Sequence, residues 1–135
     1  MKLIYVAGPY RAKTVADITR NIRRAESVAM QVWALGYPAI CPHINSAHFD
    51  GVACDKVFLA GMIELLDRCD AMILVDGWER SVGTLAEIEH AKERGIPVFR
   101  SLGELYYWLP ISVPETSIND VVPAQHVACN CATCA

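Results

Sequence analysis

The sequence contains no apolar run approaching the ~18 residues that a membrane-spanning helix needs, although 53% of its 135 residues are hydrophobic. It also lacks a basic excess. Twelve Lys and Arg stand against 15 Asp and Glu, a formal net charge of -3, which argues against a partner held by its nucleic-acid backbone. Internal repeats and low-complexity linkers are missing, and with only 20% charged residues the chain has enough apolar matter to fold. The opening Met1 to Gly8 is too short an apolar stretch for a secretory leader and runs straight into a motif. A soluble, cytoplasmic protein is the expectation, and with it no disulfide framework. Cysteine itself is not scarce. Cys41, Cys54 and Cys69 lie among apolar neighbours and read as core or near-core thiols. Cys129, Cys131 and Cys134 crowd the end, where His126 could complete a soft-metal set; a solvated tail is the simpler reading, and no metal site is assigned.

What is present alternates in period. Lys2 to Ala7 is a short apolar run closed by Gly8-Pro9, which predicts a buried strand. Val15 to Leu35 carries apolar residues at helical spacing, with Gly36 placed to end it. Tyr37 to Cys41 predicts a second strand, and His43 to Asp55 an irregular loop over the strand ends. Lys56 to Arg68 is helical again, Ala71 to Val75 a third strand, and Thr84 to Arg94 a third helix closed by Gly95. Ile96 to Phe99 predicts a fourth strand, followed by a short helix over Leu102 to Leu109. Strands alternating with helices imply βαβ units. The expected fold is a single-domain α/β, Rossmann-like (flavodoxin-like) sandwich with a mostly parallel sheet of four or five strands. Residues 1–110 form that domain. Residues 111–135 are an extension, packed on a partner or disordered, in which Ile118 to Val122 offers at most one more edge strand.

Two loops leave strands at what would be one edge of the sheet, where open α/β sheets bind ligands. Gly8-Pro9-Tyr10-Arg11 follows the first strand, and Asp76 to Thr84 the third. Ser81, Gly83 and Thr84 offer a hydroxyl, a close-approach backbone and a helix cap, features that stabilise a phosphate. Arg11 adds a fork of charged donors suited to the same group. Glu87 is expected on the first helical turn, facing that mouth, where a carboxylate can attack an anomeric carbon. Its bland reading is a carboxylate that complements the helix dipole. His90 is three residues on and could pair with Glu87 or make a simple helix-face contact. His43 and His48 could reach the pocket from their loop, and Trp78 could stack on a base or simply pack.

Tyr5-Val6-Ala7-Gly8-Pro9-Tyr10-Arg11, Cys69-Asp70, Gly77-Trp78-Glu79-Arg80-Ser81 and Gly83-Thr84-Leu85-Ala86-Glu87-Ile88-Glu89-His90-Ala91 resemble the nucleoside 2-deoxyribosyltransferase-like superfamily over about residues 2 to 109. The resemblance is to its short members, and to the 2′-deoxynucleoside 5′-monophosphate N-glycosidases. It implies that Glu87 is a nucleophile toward C1′ of the sugar and that Tyr5 positions that carboxylate. It implies that Ser81 meets a 5′-phosphate, where transferases of free nucleosides carry an Asp, and that Arg11 stands on the phosphate side. A carboxylate would repel a phosphate dianion that a hydroxyl can hydrogen-bond. The site expected is therefore Glu87, Tyr5 and Asp76 for catalysis, with Gly8, Pro9, Arg11, His43, Trp78, Ser81, Gly83 and Thr84 around a nucleoside monophosphate. A homodimer is implied, and no metal or organic cofactor.

One departure stands out. Eight residues ahead of Asp70, where the characterised relatives carry a catalytic Asp, this chain has Met62. A thioether cannot protonate a leaving base; Asp76 or His43 are the groups that could take its place. Met62 therefore keeps open a module that binds or senses a nucleotide without cleaving it. Gly83-Thr84-x-x-Glu87 also resembles the signature of lysine-decarboxylase-like phosphoribohydrolases, without its upstream Gly-Gly. An interaction protein that uses the fold as a scaffold is the remaining alternative.

Overall fold

Ile4, Tyr5, Val6 and Ala7 are all buried, so this strand is covered on both faces, as parallel sheets flanked by helices require. The fold was obtained as a computed structural model, which describes residues 1–110. Strand β1 (Ile4–Ala7) leads through helix α1 (Val15–Ala34) to β2 (Ala39–Ile40). A short helix α2 (Pro42–Asn45) and helix α3 (Asp55–Leu66) precede β3 (Ala71–Leu74). A 3-10 turn (Trp78–Arg80) and α4 (Val82–Glu93) connect to β4 (Val98–Phe99), and α5 (Leu102–Trp108) closes the described chain. Among the described residues no helix is long and apolar enough to cross a membrane.

The four strands are all parallel, in the order β2-β1-β3-β4. Residues Ile4 to Ala7 pair in step with Ala71 to Leu74. The order therefore reverses between β1 and β3, and the crevice outside their carboxyl ends is where such a sheet takes a ligand. Side chains alternate across the sheet. Ile4, Val6, Ala71 and Ile73 pack with Ala25, Ala29 and Val32 of α1 and Leu105 of α5. Tyr5, Ala7, Met72 and Leu74 pack with Leu66 of α3 and with Ile88 and Ala91 of α4. The result is a three-layer α/β sandwich.

Several sequence expectations need correction. The second strand is only Ala39–Ile40, because Pro38 and Pro42 bracket it. The segment after Cys41 is not all loop: Pro42 occupies the first position of α2, where its missing N–H costs nothing. Helix α4 begins at Val82, two residues before Thr84, with Ser81 as its cap. Cys41 and Cys69 are buried, but Cys54 is exposed at the start of α3. The expectations for Ile118 to Val122, for His126, Cys129, Cys131 and Cys134, and for the 111–135 extension lie outside the described residues.

The Cys69-Asp70 motif is structural. The Asp70 carboxylate accepts the Leu3 amide at 2.7 Å and the Lys2 ammonium at 3.4 Å, pinning the start of β1 to the start of β3. At the other end Gly8 allows the closest approach of the two strands. A Cβ there would lie 2.6 Å from Cβ of Val75. Gly77, at φ +89°, turns the chain after β3 so that a Cβ would meet Pro9 at 3.5 Å. The loops after β1 and β3 are thus neighbours.

Candidate active site

Tyr5 projects from the middle of β1 toward α4 with no exposed surface, and its hydroxyl donates to Oε1 of Glu87 at 2.6 Å. The two residues are 82 positions apart, and only the β1–β3 crossing brings them together. Burial pushes the Glu87 carboxyl above its ordinary value, and the Tyr5 hydroxyl pulls it partway back. Burial, and then the charge of Glu87, push the Tyr5 phenol well above its own. The phenol stays a donor, and the carboxylate is held in one place with raised basicity.

Because α4 begins at Val82, Glu87 lies on its second turn rather than its first. Ser81 occupies the cap. Its oxygen accepts the Thr84 amide at 3.3 Å and the Thr84 hydroxyl at 2.8 Å. Both lone pairs are engaged, so the Ser81 hydrogen remains to be donated outward. The amides of Val82 and Gly83 precede the helical ladder and add two donors at a helix N-terminus. Thr84 itself is buried and supports Ser81 rather than facing a ligand.

On the β1 side, the Arg11 guanidinium is exposed and pairs with Asp55 in the first turn of α3. The sequence reading did not single out Asp55; a lone acid opening a helix reads equally well as a response to the helix dipole. His43 is buried in α2, with Nε2 3.0 Å from the Pro9 carbonyl and its ring edge-on to Tyr10. Burial lowers its pKa and keeps it neutral, so Nε2–H donates and Nδ1 has no partner among the described residues. His43 is thereby tied to Pro9 of the loop after β1.

Asp76 is exposed and lines a groove of about 520 Å³ whose floor includes Ile73 and Val75 and whose rim includes Arg24 and Arg100. That groove opens on the α1 and α5 face, across the sheet from Glu87. The strand ends at Leu74, so its alternation does not govern where Asp76 points. Trp78 packs against the core that contains Tyr5, and the Arg100 guanidinium lies 5.8 Å from its ring centre. His90 does not pair with Glu87. Its Nε2 meets Asp67 Oδ1 at 2.7 Å, beside Arg94 at 3.1 Å, and the three clamp α4 to the end of α3. The His90 hydrogen bond foremost, with Arg94, holds the Asp67 carboxyl below its ordinary value. Glu89 is on the surface and pairs with Lys92. Among the described residues no group of three or more His, Cys, Asp or Glu could hold a metal ion.

Residues 2–101 match a family described as a domain of unknown function (DUF7768), and the chain belongs to that family. No curated protein matches it.

Proposed function

We propose that the protein cleaves or transfers the N-glycosidic bond of a nucleoside or deoxynucleoside 5′-monophosphate, with Glu87 as nucleophile. The observation that carries this is the 2.6 Å bond from a fully buried Tyr5 to a carboxylate of raised pKa, at the carboxyl edge of the sheet. An immobilised, partly desolvated carboxylate is suited to attack C1′. The glycosyl–nitrogen bond breaks as the Glu87 ester forms, and its electron pair leaves with the base. The base takes its proton from water, since Met62 supplies none. Water then cleaves the ester and regenerates the carboxylate. The free Ser81 hydrogen and the Val82 and Gly83 amides are donors for the 5′-phosphate, and Arg11 provides positive charge nearby. The chemistry needs no metal or organic cofactor. The homodimer implied by the resemblance and the cytoplasmic location expected from composition belong to the same proposal.

Release of free base from ribo- and deoxyribonucleoside 5′-monophosphates, with matching nucleosides as controls, tests this. Release from the monophosphates alone, lost in Glu87→Ala, is the expected result. Equal release by Glu87→Ala would refute the nucleophile. Met62 favours one second reading, a nucleotide sensor, whose mark would be thermal stabilisation by a nucleotide that is never cleaved.

A further inference from the structure

The groove of about 520 Å³ lies at the carboxyl end of β3, between α1 and the start of α5. It opens on the face of the sheet away from Glu87, and the reaction proposed above makes no use of it. Its volume falls within the range of small-molecule sites. Arg24 and Val28 are one turn apart on α1, so they share the stripe that forms one wall. Arg100 and Leu102 belong to the opposite wall. Ile73 and Val75 are in the floor, and Val28 and Leu102 pack against the same core as they do. The lower part of the groove is therefore apolar, and its rim carries two guanidinium groups from separate elements. Neither arginine has an ion-pair partner among the described residues. Glu104 of α5 accepts the backbone amide of Arg100 at 2.8 Å, not its guanidinium. Among the described residues Asp76 is the one carboxylate in the lining. The groove is thus net positive in a chain whose formal net charge is -3.

We propose that this groove binds a small phosphate monoester with an apolar body, the phosphate between Arg24 and Arg100 and the body on the floor. The site is separate from the nucleotide site proposed above and stands whether or not that reading holds. Guanidinium forks on opposite walls select the head group. A carboxylate presents two oxygens in one plane, and one fork satisfies it; a phosphate has three terminal oxygens that face more than one direction. A phosphate dianion also balances two cations. The Ser27 hydroxyl, on the α1 wall, is a further donor for it. Asp76 opposes a second anionic group, so the rest of the ligand is neutral. The apolar floor then strengthens binding in proportion to the area that the body covers. Arg100 also reports on the site. Its guanidinium lies 5.8 Å from the ring centre of Trp78, so a phosphate that draws it into the groove alters the surroundings of that ring.

The test is a nuclear magnetic resonance titration of the nitrogen-15-labelled full chain with phenyl phosphate. Inorganic phosphate serves as the probe without a body, and benzoate as the probe without a phosphate. The expected result is saturable shifts at the Val28 and Leu102 amides and at the Trp78 indole N–H. Phenyl phosphate should bind about fivefold or more tighter than either probe. Arg24→Gln and Arg100→Gln should each weaken it about tenfold, and Ser27→Glu, which adds a carboxylate to the α1 wall, should abolish binding. All three positions are exposed, and circular dichroism checks that each variant folds; should one fail, the other two carry the same test. Shifts confined to Val82 and Gly83 would put the phosphate in the nucleotide site and overturn the groove while leaving that reading standing. Groove shifts that survive both arginine substitutions, benzoate bound as tightly as phenyl phosphate, or no shift in the groove at all would overturn the proposal as well.

Discussion

Replacing Tyr5 by Phe removes one oxygen from a side chain without exposed surface and withdraws the donor 2.6 Å from Glu87. A hydrogen bond to a charged group is worth about 1.5–3 kcal/mol, and a neutral one about 1 kcal/mol. Above the native pKa of Glu87, where the carboxylate is ionised, Tyr5→Phe should lose about 2 kcal/mol, or about 8 °C in Tm for a domain of this size. The pH dependence separates this bond from ordinary packing. The native Glu87 carboxyl keeps its proton to higher pH than the unfolded chain does. Its contribution to stability is therefore full below the ordinary carboxylate range and is lost as pH rises through its native pKa. The Tyr5 bond lowers that native pKa, so removing it raises the pKa further and deepens the loss at high pH. At about pH 4, where the native carboxyl is protonated, the penalty should shrink to about 1 kcal/mol. Thermal and urea melts followed by circular dichroism at the two pH values read this directly. An equal loss at both, or no loss at neutral pH, would show that the hydroxyl does not stabilise the Glu87 charge.

Glu87→Gln keeps an acceptor for Tyr5 but removes a buried charge. It should abolish base release while raising Tm near neutral pH, the gain vanishing in acid; a variant less stable than the parent at neutral pH contradicts the raised pKa. Gly8→Ala forces a Cβ to within 2.6 Å of Val75, so β1 and β3 must separate at a cost of about 1–3 kcal/mol; an unchanged urea midpoint refutes the close approach. Asp67→Asn removes a carboxyl held below its ordinary pKa by His90 and Arg94. Such a group adds stability above the unfolded pKa that is lost as pH falls through the folded one. The variant's stability should therefore decline less in acid than the parent's, and parallel acid limbs would count against the clamp.

Particular residues show where sequence reading succeeds. The run Ala71 to Val75, apolar throughout, could only be a doubly covered strand, and Val15 to Leu35 announced α1 nearly to the residue. Ser81 and Glu87 were identifiable as polar groups beside a helix start. The start itself was misplaced by two residues, because Val82-Gly83 has weak helical propensity and the Ser81 cap decides the boundary. His90, readable as a partner of Glu87 or as a simple helix contact, meets Asp67 of α3. Nothing local says which neighbouring element a polar residue on a helix meets.

The sequence by itself determined the alternation of strands and helices and the two loops that leave β1 and β3. Those follow from backbone periods and side-chain chemistry that act within a few residues. The tertiary structure decided that β3, not β2, lies between β1 and β4, and hence that Tyr5 meets Glu87 while Asp76 lines a groove on the opposite face. Strand order and pairing are chosen by packing between segments tens of residues apart. No local pattern encodes that choice, because any parallel neighbour would satisfy the same backbone donors and acceptors.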